Sequence, residues 1–375
     1  MTLLVEKGTF TKTTSTSVPV SQQVTLTNGS LTPKLLILWT TGQTTIDGTY
    51  RDDSRISYGF SDGTNDACQA YRMDESAESE SYVFHDNAVI SIINLTTNAI
   101  VSQADVSAFG AGSFTLNWSV QSNTEALHIH YIVAGGTDIT NVSVVSTTKT
   151  DVNTGNHSWN GSGTVFTPYF GLMMTGADGF TTTNTIAAGA DRGLFCIGAA
   201  KSTSKRWVIW GRDETIGTSD CDMYINPSAC LASCSNTAGT ITYLADFVSF
   251  DNAAGGGITV NVSDGATGAT ERLAFLLVKG ASWDCGVFQQ RSGTGTQNVT
   301  IASGVDPEIV FLGGINTATD ATVTANFYVG IGASDGTNEG ASYIGNTNAL
   351  GTFAAVNSNL NTKVYRISTP NATAS

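Results

Sequence analysis

Two consecutive segments set the organisation of this chain: PKLLILWTTGQ at residues 33–43 and RISYGFSDGTNDA at residues 55–67. An apolar run leads into a glycine turn, and an alternating segment then ends on an Asp-Gly turn. The same pattern returns as PEIVFLGGINT at 307–317 followed by NFYVGIGASDGTNEGA at 326–341, and again as PYFGLMMTGAD at 168–178. The leading prolines of the later copies lie 135 and 274 positions after the first, and the shared SDGTN is displaced by 273. A nearly constant offset indicates internal duplication, which governs the whole fold.

The composition favours many short strands joined by polar turns. Of 375 residues, 41% are apolar, only 13% are charged, and 40 are glycines. The net charge is −14. It argues against nucleic acid or an anionic membrane as partner, because both are bound mainly through clustered lysines and arginines.

Each complete repeat is predicted to contain eight strands, because β-branched and aromatic residues alternate between Gly, Asn and Asp turns. In the first copy the predicted strands are Gly8–Ser15, Val20–Thr27, Lys34–Thr40, Arg55–Phe60, Ala67–Met73, Val83–Asn94, Gly112–Val120 and Leu127–Val133. The sequence therefore predicts an all-β protein of tandem antiparallel β-sandwich repeats, jelly-roll-like, with two full units and one partial unit.

The predicted domains are a first sandwich at residues 1–142, a second at 143–285 and a partial third at 286–375. A shifted frame is the alternative, with residues 1–97 as the partial unit. The third copy has no match to the strands that Gly112–Val120 and Leu127–Val133 supply in the first. Because an unpaired sheet edge invites another strand, we expect contacts with other subunits and a homo-oligomer.

Four cysteines fall in the second repeat or at its end: Cys221, Cys230, Cys234 and Cys285. Only Cys230 and Cys234 have the close spacing of a zinc-binding pair. A zinc site and a disulfide are both open, and buried thiols are the favoured interpretation for a chain that folds in a reducing cell. Cys68 and Cys196 lie inside predicted strands as core residues.

Two histidines and a group of acids are candidate ligands or catalysts. His128 and His130 share one face of a strand, as metal-binding pairs do, but an exposed polar face is the favoured interpretation because the sequence places no acidic partner beside them. The acids could form a glycosidase pair or a calcium site, although Asp-Gly between alternating runs is first a hairpin turn. They are Asp52, Asp53, Asp62, Asp66, Asp74, Glu75, Glu78 and Glu80.

No phosphate-binding loop or dinucleotide-binding fingerprint occurs in the sequence, and none of the four histidines lies in a recognisable nucleophile context. We therefore predict a protein that is not an enzyme, with no catalytic, cofactor-binding or metal-binding residue. The tryptophans could stack on sugars, but core packing is the favoured role for most of them. They are Trp39, Trp118, Trp159, Trp207, Trp210 and Trp283.

The repeated segments resemble the tandem β-domains of tailed-bacteriophage virion proteins of the minor tail, head-decoration and fibre types. The resemblance lies in Gly8 to Thr11, Val20 to Thr27, Pro33 to Thr40, Ile56 to Phe60, Asp246 to Phe250 and His128 to Gly136. It implies a structural role, since these segments are strands and carry no catalytic residue.

The leading hypothesis is thus a non-enzymatic virion protein that decorates the capsid or forms part of the tail or a fibre, with other virion subunits as partners. No targeting segment opens the sequence, so we expect synthesis in the bacterial host cytoplasm and a final location in the virion. The alternative is a carbohydrate-binding adhesin or receptor-binding protein that contacts a host surface glycan.

Overall fold

A computed structural model describes residues 2–47, 54–73, 81–97, 99–149, 153–176, 193–214, 220–234, 239–265, 271–301, 306–347 and 356–367. Every regular element in these ranges is a β-strand, and all strand pairs are antiparallel. The same ranges contain no helix that is long and apolar enough to cross a membrane. We call residues 2–136 unit 1, residues 139–280 unit 2 and residues 281–367 unit 3.

Unit 1 is a sandwich of two sheets. Its strands are β1 (Leu3–Thr11), β2 (Val20–Thr25), β3 (Pro33–Thr40), β4 (Ser54–Ser61), β5 (Asp66–Met73), β6 (Ser81–Asp86), β7 (Ile90–Ile93), β8 (Ile100–Gly110), β9 (Ser113–Gln121) and β10 (His128–Gly136). The inner sheet has the order β1-β10-β3-β4-β5-β6, and the outer sheet has the order β2-β9-β8-β7. The consecutive strands β9 and β10 therefore divide between the sheets and pair with the N-terminal strands, as in a jelly roll, while the other strands form meanders.

Unit 2 has the same strand order. Its strands are β11 (Ile139–Lys149), β12 (Gly155–Asn160), β13 (Val165–Phe166), β14 (Phe170–Thr175), β15 (Gly193–Ser202), β16 (Lys205–Glu214), β17 (Asp220–Asn226), β18 (Leu231–Cys234), β19 (Ile241–Asp251), β20 (Ala253–Ala254), β21 (Gly257–Gly265) and β22 (Glu271–Gly280). The inner sheet runs β11-β22-β14-β15-β16-β17 and the outer sheet runs β12-β21-β19-β18. Each strand of unit 1 thus has a counterpart at the same place, and the short pair β13–β20 is an addition.

Unit 3 contributes one four-stranded sheet in the described residues. Its strands are β23 (Val310–Ile315), β24 (Thr324–Ala325), β25 (Phe327–Ser334), β26 (Glu339–Asn346) and β27 (Val356–Leu360). The sheet order β23-β25-β26-β27 repeats the order β3-β4-β5-β6. The short strand β24 pairs instead with β17, at the edge of the inner sheet of unit 2.

The inner sheets of units 1 and 2 and the sheet of unit 3 surround one apolar core, which we call the central core. Phe311 illustrates the packing: its ring stacks on Tyr58 at a centroid distance of 5.9 Å and meets Trp39 edge-on at 6.2 Å. Units 1 and 2 each have a second core between inner and outer sheets, so their inner sheets are buried on both faces. Strands covered on both faces are apolar along their whole length rather than alternating, which explains the run at 35–39.

The contacts around the central core follow one direction. β5 of unit 1 packs on β15 of unit 2, β16 of unit 2 packs on β25 of unit 3, and β26 of unit 3 packs on β4 of unit 1. In each case the fifth strand of one unit, or its counterpart, meets the fourth strand of the next. The three units are therefore arranged head to tail in a closed ring, which is the contact pattern of a cyclic trimer.

The all-β prediction with antiparallel sandwiches is confirmed. Pro33 begins β3, while Pro168 and Pro307 stand two and three residues before β14 and β23. The predicted strand at 83–94 is two strands, β6 and β7, because the chain turns at 87–89 and passes to the outer sheet. The prediction also lacked β8 as a separate strand.

The strand pairing bears on the predicted boundaries. β11 crosses the position 142/143, and β8, β9 and β10 pair only with strands that precede residue 137. Residues 100–136 are therefore built into the same sandwich as the N-terminal strands, whereas the shifted frame would group them with the strands that follow.

Candidate interaction surface

The repeated SDGTN turns join neighbouring units. In the first, the Asp62 carboxylate accepts hydrogen bonds from the backbone N–H groups of Thr64 and Asn65, at 2.8 and 2.7 Å, with one oxygen. Its other oxygen accepts the N–H of Val144 on β11 of unit 2, at 2.8 Å. The carboxylate thus holds its own turn and the first strand of the next unit, so we call this arrangement a clasp.

Asp335 forms the equivalent clasp between units 3 and 1. One oxygen accepts the N–H groups of Thr337 and Asn338 at 2.9 and 2.7 Å, and the other accepts the N–H of Lys7 on β1 at 3.0 Å. Burial alone would raise the pKa of Asp335, but the N–H groups of Asn338 and Lys7 outweigh it and hold the pKa below its usual value. The predicted hairpin turns are present, with Gly63 and Gly336 at φ of 87° and 84°.

The corresponding turn of unit 2 holds unit 3 with reversed charges. Lys201 and Lys205 flank this turn, and their ammonium groups lie 3.9 and 3.3 Å from the carboxylate of Asp284. The Cys285 thiol also donates to the carbonyl oxygen of Lys205 at 2.9 Å. At this junction the carboxylate belongs to the following unit rather than to the turn, and the turn supplies the lysines. In all three units, therefore, the turn between the fourth and fifth strands contacts the next unit.

A glycine in each fourth strand allows the chain after the sixth strand to come close. A Cβ atom at Gly59 would overlap the carbonyl oxygen of Val89, and one at Gly198 would overlap that of Cys230. In unit 3 a Cβ at Gly332 would overlap the carbonyl oxygen of Val364. Val89 and Cys230 directly precede β7 and β18, so residues 364–367 occupy the corresponding place without forming a strand.

The sheet of unit 3 has an open edge at β23. β3 and β14 each pair on both sides, with β4 and β10 or with β15 and β22, whereas β23 pairs only with β25 among the described residues. All six residues of β23 are partly exposed, while every residue of β14 is buried. This edge and the adjoining face of the sheet are the candidate interaction surface.

The cysteines do not form a shared site. None of the six is in a disulfide; five are buried and Cys285 is partly buried. Their sulfurs have separate contacts, such as Cys230 with the carbonyl oxygen of Ala245 at 3.6 Å and Cys221 with the carboxylate of Asp213 at 3.0 Å. In the described ranges, no three His, Cys, Asp or Glu side chains come together as a metal site would require.

The expectation of an exposed polar face at the two histidines was wrong for His130. Its ring is fully buried, 5.3 Å from that of Trp39, and its Nδ1 lies 2.7 Å from the Thr9 hydroxyl. Burial, with a smaller contribution from Lys7, lowers the pKa of His130 to about 3. The cause is unit 3, whose Gly340 covers this part of β10. His128 is partly exposed, with its Nδ1 3.3 Å from the Thr11 hydroxyl.

The acids weighed as catalytic or calcium-binding residues separate into two sets. Asp62 supports a clasp, and Asp66 accepts the N–H of Val106 at 2.9 Å. The others lie outside the described residues: Asp52, Asp53, Asp74, Glu75, Glu78 and Glu80.

Most tryptophans are core residues, as predicted. Trp39, Trp118, Trp207 and Trp210 are buried. Trp159 and Trp283 are partly exposed and stack on Phe275 and Phe170, at centroid distances of 5.7 and 4.7 Å.

Sequence reasoning missed Gln69, which is fully buried between units 1 and 2. Its amide donates to the carbonyl oxygens of Thr175 and Leu194 at 3.1 and 2.7 Å, and its oxygen accepts the N–H of Cys196 at 3.2 Å. The available signal was a polar residue directly between Cys68 and Ala70, two residues predicted to lie in a buried strand, because a buried amide needs partners.

Comparisons of this chain with protein-family models, curated proteins and solved structures found no match.

Proposed function

We propose that this protein is a non-enzymatic structural component of a tailed-phage virion, on the capsid or in the tail or a fibre. The closed ring of three units is the observation that carries the proposal. It forms a threefold-like body within one chain, held by the central core, by clasps at two junctions and by the ion pairs of Asp284 at the third. Sheets buried on both faces resist deformation, since interiors are close-packed. A rigid scaffold with a free sheet edge suits assembly into a larger particle.

The surface supports partners that are themselves proteins. An open strand such as β23 offers backbone donors and acceptors, which are recognised by another strand rather than by a small molecule. The chain also has 31 acidic against 17 basic residues, a balance unsuited to phosphate backbones.

Mass spectrometry of purified particles, with the copy number per virion, tests this proposal. The protein is expected in particles that have been banded by density, at a copy number that matches the symmetry of a capsid or tail. Immunogold labelling of the same particles then locates it. Its presence in infected cells but absence from washed particles would contradict the proposal.

The alternative, a carbohydrate-binding adhesin, receives little support from the tryptophans. Sugar-binding platforms need exposed rings, and four of the six tryptophans are buried. A glycan array is the direct test, and saturable binding to one glycan class would favour the adhesin.

A further inference from the structure

The open edge of β23 is explained by comparison with the two complete units. In unit 1, β10 lies between β1 and β3; in unit 2, β22 lies between β11 and β14. Both β10 and β22 form the edge pairing that β23 lacks in the described residues. The ring therefore contains two internal examples of what an occupied edge looks like.

The side chains of β23 also lack the cover that their counterparts in the complete units have. Val310 and Leu312 occupy the places of Leu36 and Leu38 in unit 1, counted from the prolines that precede the strands. Leu36 and Leu38 are fully buried in the sandwich core, as is Met173, the counterpart of Leu312 in unit 2. Val310 and Leu312 remain partly exposed. Two apolar side chains thus face the side where an outer sheet would lie.

The described residues between β22 and β23 also lack strand partners. In units 1 and 2 the region before the proline forms strands, β1 and β2 or β11 and β12. In unit 3, residues 286–300 form no strand and are all exposed. They include Phe288 at 45% exposure and Val299 at 48%, two of the few large apolar side chains so exposed in the described chain.

All of these features concern one pair of strands, the counterparts of β9 and β10, which the described part of unit 3 does not contain. β10 is the partner of both β1 and β3, and β9 is the partner of both β2 and β8. Among the described residues, the regions of unit 3 equivalent to β1 and β2 therefore have no such strand to pair with. An outer sheet would likewise be needed to cover Val310 and Leu312.

We propose that unit 3 is the docking site for two consecutive β-strands of a second polypeptide. One strand lies antiparallel along Val310–Ile315, and the other crosses the outer face of the sheet over Leu312. The first strand is apolar along most of its length, as β22 is, and the second alternates apolar and polar residues, as β21 does. The first docking strand is expected to carry a lysine or arginine near its end, because Glu308 is exposed next to β23. β22 carries Lys279 at the corresponding place.

A peptide with the sequence of residues 257–280, the β21–β22 pair, is the probe. Its binding to the full chain is measured by titration calorimetry, and amide hydrogen exchange locates the site. The expected result is saturable binding, with new protection at 310–315 and within 286–300. A control peptide with Phe275→Asp and Leu277→Asp should not bind, because the face of β22 that packs in the sandwich core becomes charged.

Two variants of the full chain give the matched comparison. Leu312→Asp is expected to weaken peptide binding by at least about tenfold, because it places a charge against the apolar strand. Val165→Asp, at a 58% exposed valine of unit 2, should leave binding within about twofold of the parent. Should Leu312→Asp fail to fold, exchange in the unaltered chain still decides: amides of β23 are expected to exchange faster than those of β3 and β14.

Three outcomes would overturn the inference. The first is peptide binding without protection at 310–315, or no binding at all. The second is a free chain in which β23 is already as protected as β14. The third is a dimer of the chain alone that Leu312→Asp converts to a monomer, which would make a second copy the occupant. The inference rests on unit 3 alone, so each result leaves the location of the protein in a virion as a separate question.

Discussion

The Asp335 carboxylate accepts a hydrogen bond from the backbone N–H of Lys7 at 3.0 Å, across 328 positions of sequence. This contact closes the ring, because it joins unit 3 to the first strand of unit 1. The Lys7 ammonium donates in return to the carbonyl oxygen of Glu339. Asp62 and Asp284 take part in the two other junctions.

Replacement of Asp335 by Asn should open this clasp while keeping its turn. The amide can still accept from Thr337 and Asn338, but its NH₂ group would face the Lys7 N–H. We expect a loss of about 1–3 kcal/mol in unfolding free energy at pH 7, as for hydrogen bonds to charged groups. Asp320→Asn, at an exposed loop position, is the control for urea unfolding.

The cost of Asp335→Asn should depend on pH. The folded pKa of Asp335 lies below its usual 3.8, so its stabilisation is present above about pH 4 and is lost as the pH falls through the folded pKa. Parent and variant should therefore converge in acid. Equal stability at pH 7 would show that the clasp contributes nothing.

The junction between units 2 and 3 should behave differently. Asp284 pairs with two lysines whose side chains are about one-third exposed. Exposed ion pairs contribute about 0–1 kcal/mol and are screened by salt. We expect Asp284→Asn to cost less than about 1 kcal/mol at low ionic strength and almost nothing at ~1 M salt, whereas the cost of Asp335→Asn should persist. A large cost of Asp284→Asn in high salt would contradict this.

Asp66 should lower the stability of the protein as the pH rises. Burial, together with Asp105 and Asp62, raises its pKa to about 7. The folded state keeps this proton between about pH 4 and 7 while the unfolded state releases it, so stability falls across that window. Each pKa unit between the folded and unfolded states corresponds to about 1.4 kcal/mol of unfolding free energy.

The variant Asp66→Asn lacks this titration and keeps an acceptor for the Val106 N–H. Its stability relative to the parent should therefore increase from pH 4 to pH 7, as measured by thermal unfolding at several pH values. Parallel curves for the two proteins would refute the expectation.

The three close-approach glycines should differ in their tolerance of alanine. At Gly59 and Gly198 the added Cβ meets a carbonyl that leads directly into a strand of the outer sheet, so we expect a loss of roughly 2–4 kcal/mol. At Gly332 the nearest carbonyl is that of Val364, which lies in no sheet, whereas the second contact, the Gly340 carbonyl at 2.7 Å, resembles that of Ala67 with Gly59 at 2.8 Å. Because only the first contact differs, the loss should be somewhat smaller. Gly29→Ala is the control, because no atom lies within 4 Å of its Cβ position. Urea unfolding of the four variants measures the order.

Local patterns predicted much of the fold. The Asp-Gly turns, the apolar strands after the prolines and the core tryptophans all depend on neighbours in sequence. The turn at 87–89 was missed because it contains no glycine or proline. His130 was misplaced because its cover comes from residue 340, more than two hundred positions later.

The surface depends on contacts that periodicity does not encode. The sequence predicted the turn at Asp62 but not its second partner, Val144, since nothing local distinguishes one exposed carboxylate from another. The residues at 310–312 are all apolar, which indicates a strand with two covered faces. Only the structure reveals that one edge of this strand is unpaired among the described residues and that its side chains stay partly exposed.

The ring of three units also has a consequence for concentration. In a trimer of separate chains, dilution favours dissociation. Here the three sheets belong to one chain, so their association is intramolecular and its strength is set by an effective concentration rather than by the amount of protein. Dilution therefore cannot separate the three sheets. Because the three units have their own sequences, a substitution can alter one junction without altering the other two, as the reversed charges at Asp284 illustrate.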